Sequence, residues 1–148
     1  MIVPDINLLV YAHNERAADH ARARAWWEAC LNGSVPVGLP WVSISGFLRV
    51  MTHPRVLVRP MEVSVAVARV REWLEQPPVR ILQPGLKFPG LFLGQLERLG
   101  TAGNLTTDAQ LAALTMEYQA ELHSNDADFA RFPGLRWVNP LAESKSRR

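Results

Sequence analysis

The chain has 148 residues, 48% hydrophobic and 20% charged. That balance excludes a disordered chain and suits one domain with a substantial core. A single cysteine, Cys30, excludes an internal disulfide and a cysteine-based zinc cage, and the net charge of +2 with a pI of about 9.1 permits a nucleic-acid partner without demanding one.

In chain order, Ile2-Val3-Pro4 reads as a short buried strand, and Leu8, Leu9 and Tyr11 begin helical spacing. A helix is predicted from Asp19 to Leu31, with an apolar stripe of Ala23, Trp26, Trp27, Cys30 and Leu31 and a C-cap at Asn32-Gly33. Cys30 reads as a small buried hydrophobe on that stripe. Val35 to Leu39 is a strand candidate, although its proline weakens the pattern. Ile44, Phe47, Leu48 and Met51 predict a helix over 42–52, ended by His53-Pro54. Another helix is expected over 61–74, presenting Val63, Val67, Val70 and Leu74 on one face, and Pro77-Pro78 breaks it. A strand at Val79–Leu82, a helix over 90–99 and a loop from Gly100 to Asn104 follow. A helix from Asp108 to Tyr118 then buries Leu111, Ala112, Leu114 and Met116, and two short strands lie at 121–123 and 135–138. Short strands alternating with helices of about ten residues predict an α/β domain, a parallel sheet with helices on both faces. The start carries no basic leader, and Asp5 interrupts its apolar run, so no signal peptide is expected. No apolar run approaches the roughly 18 residues of a membrane span, so the expectation is a cytoplasmic protein without a membrane segment. The last residues, 142–148, are polar and expected to be disordered.

Four aspartates stand beside segments expected to be buried. Asp5 closes the first strand, Asp108 opens a helix, and Asp126 and Asp128 follow the strand at 121–123. A carboxylate beside a core is costly unless it is paired or binds a cation. In an open parallel sheet, ligands gather at the carboxyl ends of strands. Carboxylates brought together there repel until a hard cation such as Mg²⁺ or Mn²⁺ binds them through oxygen. Such an ion keeps waters that can serve as nucleophiles, and it neutralises phosphate. Each residue also has a plainer reading. Asp108 suits a helix cap or first-turn charge, with Thr106 or Thr107 as alternative caps, and Asn125-Asp126-Ala127-Asp128 is turn chemistry.

The opening Val3-Pro4-Asp5-Ile6-Asn7-Leu8-Leu9-Val10-Tyr11 resembles the start of PIN-domain ribonucleases. The run Asn104 to Leu114 around Thr107-Asp108-Ala109 looks like the family's later acidic segment, and Ser124-Asn125-Asp126-Ala127-Asp128-Phe129 through Phe132-Pro133-Gly134-Leu135 looks like its C-terminal one. Leu39-Pro40-Trp41 and Phe47-Leu48-Arg49 through His53-Pro54-Arg55 resemble the VapC toxin branch. The likeness spans residues 1–141. It implies a PIN-like fold with four to five central parallel strands. It also implies Mg²⁺- or Mn²⁺-dependent hydrolysis of RNA to 5′-phosphate and 3′-hydroxyl products, a VapB-like antitoxin partner and a homodimer. By the same resemblance, Asp5, Asp108 and Asp126 are catalytic metal ligands and Asp128 a ligand or orienter, with Asn7 and Thr107 supporting them.

One departure stands out. Gly46, in Ser45-Gly46-Phe47, occupies the place where the family usually carries a glutamate. Weaker metal binding is the expectation, to be relieved by Gly46→Glu. Ser43 and Ser45 are poor substitutes that could hold a metal-bound water. Glu117, about 13 Å along a helix from Asp108, is poorer still. This departure keeps open a catalytically weakened PIN domain that binds RNA or protein. A haloacid-dehalogenase-like phosphatase fits less well, because Asp5-Ile6-Asn7 lacks that family's second acid and no lysine lies between Lys87 and Lys145. The four histidines show no zinc spacing. Among Arg16, Arg22, Arg24, Arg49 and Arg55, Arg49 is best placed for RNA phosphate. Trp26, Trp27 and Trp41 read as core, with any exposed part available to an antitoxin.

Overall fold

The computed structural model describes residues 1–143, so residues 144–148 of the expected tail lie outside the described residues. In chain order the elements are β1 (Ile2–Pro4), α1 (Ile6–His13), α2 (His20–Asn32), β2 (Val37–Pro40), α3 (Trp41–Met51), α4 (Val63–Leu74), β3 (Val79–Leu82), α5 (Phe88–Leu99), α6 (Thr106–Glu117), β4 (Glu121–His123) and β5 (Trp137–Val138). Short 3-10 turns at Gly103–Leu105 and Ala127–Arg131 precede α6 and follow β4. The five strands form one sheet in the order β3-β2-β1-β4-β5, every neighbouring pair parallel. None of the described helices is long and apolar enough to cross a membrane.

Strand alternation divides the core between the two faces. Val37, Leu39 and Val79 point to one side, where α1 to α4 cover them with Leu8, Leu9, Trp27, Phe47 and Trp73. Val3, Leu82 and Leu122 point to the other, against Leu111, Leu114, Phe129 and Phe132. Helix α6 buries Ala109 and every residue from Leu111 to Thr115, which suits a helix wedged between the sheet and α5. The prolines beside β2 do no harm to its pairing: Pro36 only offers its carbonyl to the Ile2 N–H, and Pro40 ends the strand.

Several details depart from the sequence reading. Helix α4 buries Ala66, Val70 and Trp73, while Val63 and Leu74 are exposed. Its valines support either stripe, and Trp73 decides between them. The indole buries more area than any valine and packs tilted against Phe47, ring centroids 4.6 Å apart, and edge-on against Trp27 at 5.4 Å. Helix α6 starts at Thr106, so Thr106 and Thr107 lie inside the helix and neither caps it; the cap position is Leu105, with no side-chain bond. Strand β2 lies two residues later than expected at its start, and β5 is cut to two residues. Gly33 ends α2 with φ of −86°, so it stops the helix without the left-handed turn of a glycine cap.

Candidate active site

Strand β1 lies at the point where the sheet's connections reverse. From it the chain builds β2 and β3 on one side, then crosses back to β4 and β5 on the other. In open parallel sheets ligands gather at such a reversal, outside the carboxyl ends of the strands, here those of β1 and β4. Pro4 pairs with His123, so Asp5 and Ser124 leave the sheet side by side.

Asp5 is the N-cap of α1. Its backbone N–H donates to the His123 carbonyl at 2.9 Å, and its Oδ1 accepts the Ile6 N–H at 2.7 Å. Ser124, fully buried, donates its hydroxyl to Asp5 Oδ2 at 2.7 Å and accepts the Asp126 N–H at 3.0 Å. Asp126 then caps the following turn by accepting the Asp128 N–H at 2.9 Å. One chain of hydrogen bonds therefore sets three of the four aspartates. Asp108 enters from the first turn of α6.

The charges report the same convergence. Burial raises the Asp5 carboxyl above its ordinary value, the Ser124 and Ile6 bonds oppose the rise, and the Asp126 charge adds to it. Asp108 is pushed up to about 6, first by burial and then by the charges of Asp5, Asp126 and Asp128. None of the four forms an ion pair among the described residues. Nor do three acidic, histidine or cysteine groups there make a finished cage; elements and charge converge while ligand oxygens remain apart. The donor set is oxygen-only. Beside it, Asn7 donates from Nδ2 to Asn125 at 2.6 Å, while its own Oδ1 is buried without a partner among the described residues. Uncompensated carboxylates and an orphan acceptor fit a hard divalent cation with its waters.

The remaining sequence candidates fall in varied places. Asp128 is exposed on its turn, and Thr107 is exposed on α6. Arg49 is exposed one turn beyond Gly46, with no ion pair among the described residues, whereas Arg22 and Arg24 are engaged with Asp19 and Glu28. Ser43 is fully buried, and its hydroxyl donates to the Pro4 carbonyl at 2.9 Å, tying α3 to the end of β1. Glu117 is committed elsewhere, accepting the N–H groups of Gly85 and Lys87. Gly46 is a contact point. A Cβ there would stand 2.3 Å from Ile6 Cδ1 and 2.6 Å from Cγ1, so Gly46→Glu has first to displace the residue that follows Asp5. The histidines are structural. His13 donates to Leu9, His20 to Tyr11, and His53 accepts from Arg55; His123 accepts from Trp26 and bonds Glu121. Trp27 is core, as expected, but Trp41 is half exposed. Sequence reasoning gives Ser124 no role of its own; a hydroxyl placed directly after a strand and two residues before an aspartate is the signal that could have found it.

A family model for the PIN domain matches residues 2–135. Ribonuclease VapC33 of Mycobacterium tuberculosis is 51% identical over 143 residues, 97% of this chain and 100% of that protein. Two solved structures share the fold at low identity. VapBC-1 of nontypeable Haemophilus influenzae has a TM-score of 0.68 at 16% identity, covering 96% of this chain and 100% of that one. VapC20 of Mycobacterium tuberculosis, described as a sarcin-ricin loop cleaving toxin, has 0.67 at 18%, covering 92% and 99%. With the aspartates gathered at the reversal of the sheet and this likeness running over nearly the whole length, the chain belongs to the PIN-domain family, in its VapC ribonuclease branch.

Proposed function

We propose that this protein is a metal-dependent endoribonuclease toxin, held inactive by a cognate VapB-like antitoxin. The observation that carries the reading is that Asp5 and Asp126 share the Ser124 hydroxyl at one sheet end and that Asp108 feels both their charges, with no basic partner for any of the three among the described residues. Ribonuclease VapC33, at 51% identity, and VapBC complexes of the same fold support the substrate class and the partner. The working form is a homodimer acting in the cytoplasm, and the domain runs to residue 141, where buried Leu141 joins the core.

Asp5, Asp108 and Asp126 are the residues that would hold Mg²⁺ or Mn²⁺, with Asp128 as a further ligand or orienter. The bound ion supplies charge neutralisation at the phosphate and an acidified water. The chain's own work is to prepare for it. Ser124 and the Ile6 N–H hold Asp5 in one orientation, so no side-chain ordering remains when the substrate arrives. Above pH 6, Asp108 sheds its proton and completes the negative set. Asn7 offers its free Oδ1 to orient a water, Thr107 stands beside Asp108 on α6, and Arg49 takes a backbone phosphate. Hydrolysis breaks the P–O3′ bond: the water oxygen joins phosphorus, and the leaving oxygen takes a proton to become the 3′-hydroxyl.

A weakened binding module is the second reading, favoured by Gly46, which puts no carboxylate at that place and packs closely against the Ile6 side chain. The deciding experiment incubates the protein with RNA and Mn²⁺, with EDTA, and as Asp5→Ala. Cuts that need the metal and vanish with Asp5→Ala establish the enzyme. Retained RNA binding without cleavage establishes the module.

A further inference from the structure

The chain has five tryptophans, and four are occupied. Trp27 and Trp73 are buried against one another; Trp26 donates to His123, and Trp137 donates to the Ser124 carbonyl. Trp41 differs. It is 50% exposed, and among the described residues its ring has no aromatic neighbour and its N–H no acceptor.

Its position in the fold gives that exposure meaning. Trp41 opens α3 directly after the carboxyl end of β2. Two residues on, Ser43 bonds the Pro4 carbonyl, immediately before Asp5. Extending the Ile2–Val37 register puts Pro40 level with Asp5 at the same sheet end. The indole is therefore mounted at the same sheet end as the carboxylates. Helical spacing places Trp41, Ser45 and Arg49 on one ridge, all three exposed. The ridge runs about 12 Å at 1.5 Å per residue.

We propose that Trp41 is a base-stacking residue, which, with Arg49 on the neighbouring backbone, guides single-stranded RNA into the site. The proposal rests on the ribonuclease reading above. An indole face accepts any base, and an interleaved guanidinium follows the phosphates. A helix groove on a protein partner would bury several apolar anchors together, whereas this convex ridge offers one aromatic, one hydroxyl and one cation. Stacking adds affinity near the cleavage point without reading sequence strongly.

The test uses the full chain with Asp108→Asn to prevent cleavage. Binding of a labelled random-sequence single-stranded RNA pool is followed across a salt series. Trp41→Ala is expected to weaken binding roughly five- to a hundredfold, with Trp41→Phe retaining most of it and Trp41→Leu little. The log–log salt slope should be unchanged by Trp41→Ala, because stacking releases no counterions, and should fall by about 0.7 with Arg49→Ala. With Asp108 restored, the loss should appear in KM for the same pool. Thermal unfolding should hardly move, since the ring is half exposed. Cleavage by the parent with unchanged KM in Trp41→Ala overturns the stacking role alone. Loss of affinity restored by Leu as well as by Phe overturns it too, as does a loss confined to a protein partner. Absence of both RNA binding and cleavage in the parent overturns the ribonuclease reading itself.

Discussion

Replacing Asp108 by asparagine should make the metal-free protein more stable while abolishing its activity. In the unfolded chain this carboxyl ionises near 3.8; in the fold it holds its proton to about 6. Between those values the native state carries more protons than the unfolded state, so stability falls as pH rises from about 4 to 6 and is level beyond about 7. At about 1.36 kcal/mol per pH unit, the difference corresponds to at most roughly 3 kcal/mol. Partial exposure of the side chain screens it to roughly 1–2 kcal/mol. The neutral amide removes the repulsion from Asp5, Asp126 and Asp128 and keeps the shape. Urea unfolding at pH 4 and pH 7.5, in EDTA, checks this: the variants should be alike at pH 4, and Asp108→Asn more stable by about 1–2 kcal/mol at pH 7.5. Excess Mn²⁺, at about a hundred times Kd, should then stabilise the parent by about 2.7 kcal/mol and the variant by much less. An Asp108→Asn protein that is less stable than the parent at pH 7.5 without metal would refute the argument, as would an unchanged pH dependence.

Other perturbations probe the supports of the site. Ser124→Ala removes the hydroxyl between Asp5 and Asp126; it should cost about 1–3 kcal/mol in denaturant unfolding, and Mn²⁺ titration calorimetry should show weaker binding, with Ser124→Thr largely restoring it. Gly46→Ala sets about 1–3 kcal/mol of overpacking against Ile6 against a helix-propensity gain of about 1 kcal/mol. A double-mutant cycle with Ile6→Ala should show favourable coupling, and additive effects would remove the contact from the explanation. For the same reason Gly46→Glu should improve Mn²⁺ affinity only when Ile6 is trimmed. On α4, Trp73→Ala should cost about 3–5 kcal/mol and Val63→Ala less than about 0.5 kcal/mol, measured by chemical unfolding; similar losses would contradict the buried face described above.

Legibility in the sequence followed the strength of local signals. Helices α2 and α3 are readable because a single apolar stripe repeats at helical spacing, and β1 and β3 because short apolar runs end at polar breaks. In helix α4 the valines support two stripes, and only contact with Phe47 and Trp27 selects the one containing Trp73. The start of α6 has no local mark, because no side chain caps it and a 3-10 turn leads the chain into the helix. Residue type alone puts Trp41 in the core, and a tryptophan at the first position of a helix carries no mark of which way it faces.

The sequence by itself determined the α/β alternation, the four aspartates and the family resemblance, because periodicity and motif spacing are properties of the chain. Tertiary structure alone decided the rest. The reversal at β1 sets Asp5 beside Ser124 across 119 residues of sequence, and Asp108 acquires its raised pKa from carboxylates supplied by other elements. The apparent loss at Gly46 likewise becomes a close contact with Ile6. Each of these is a distance between residues remote along the chain, set by strand register and helix crossing, and no local pattern encodes it.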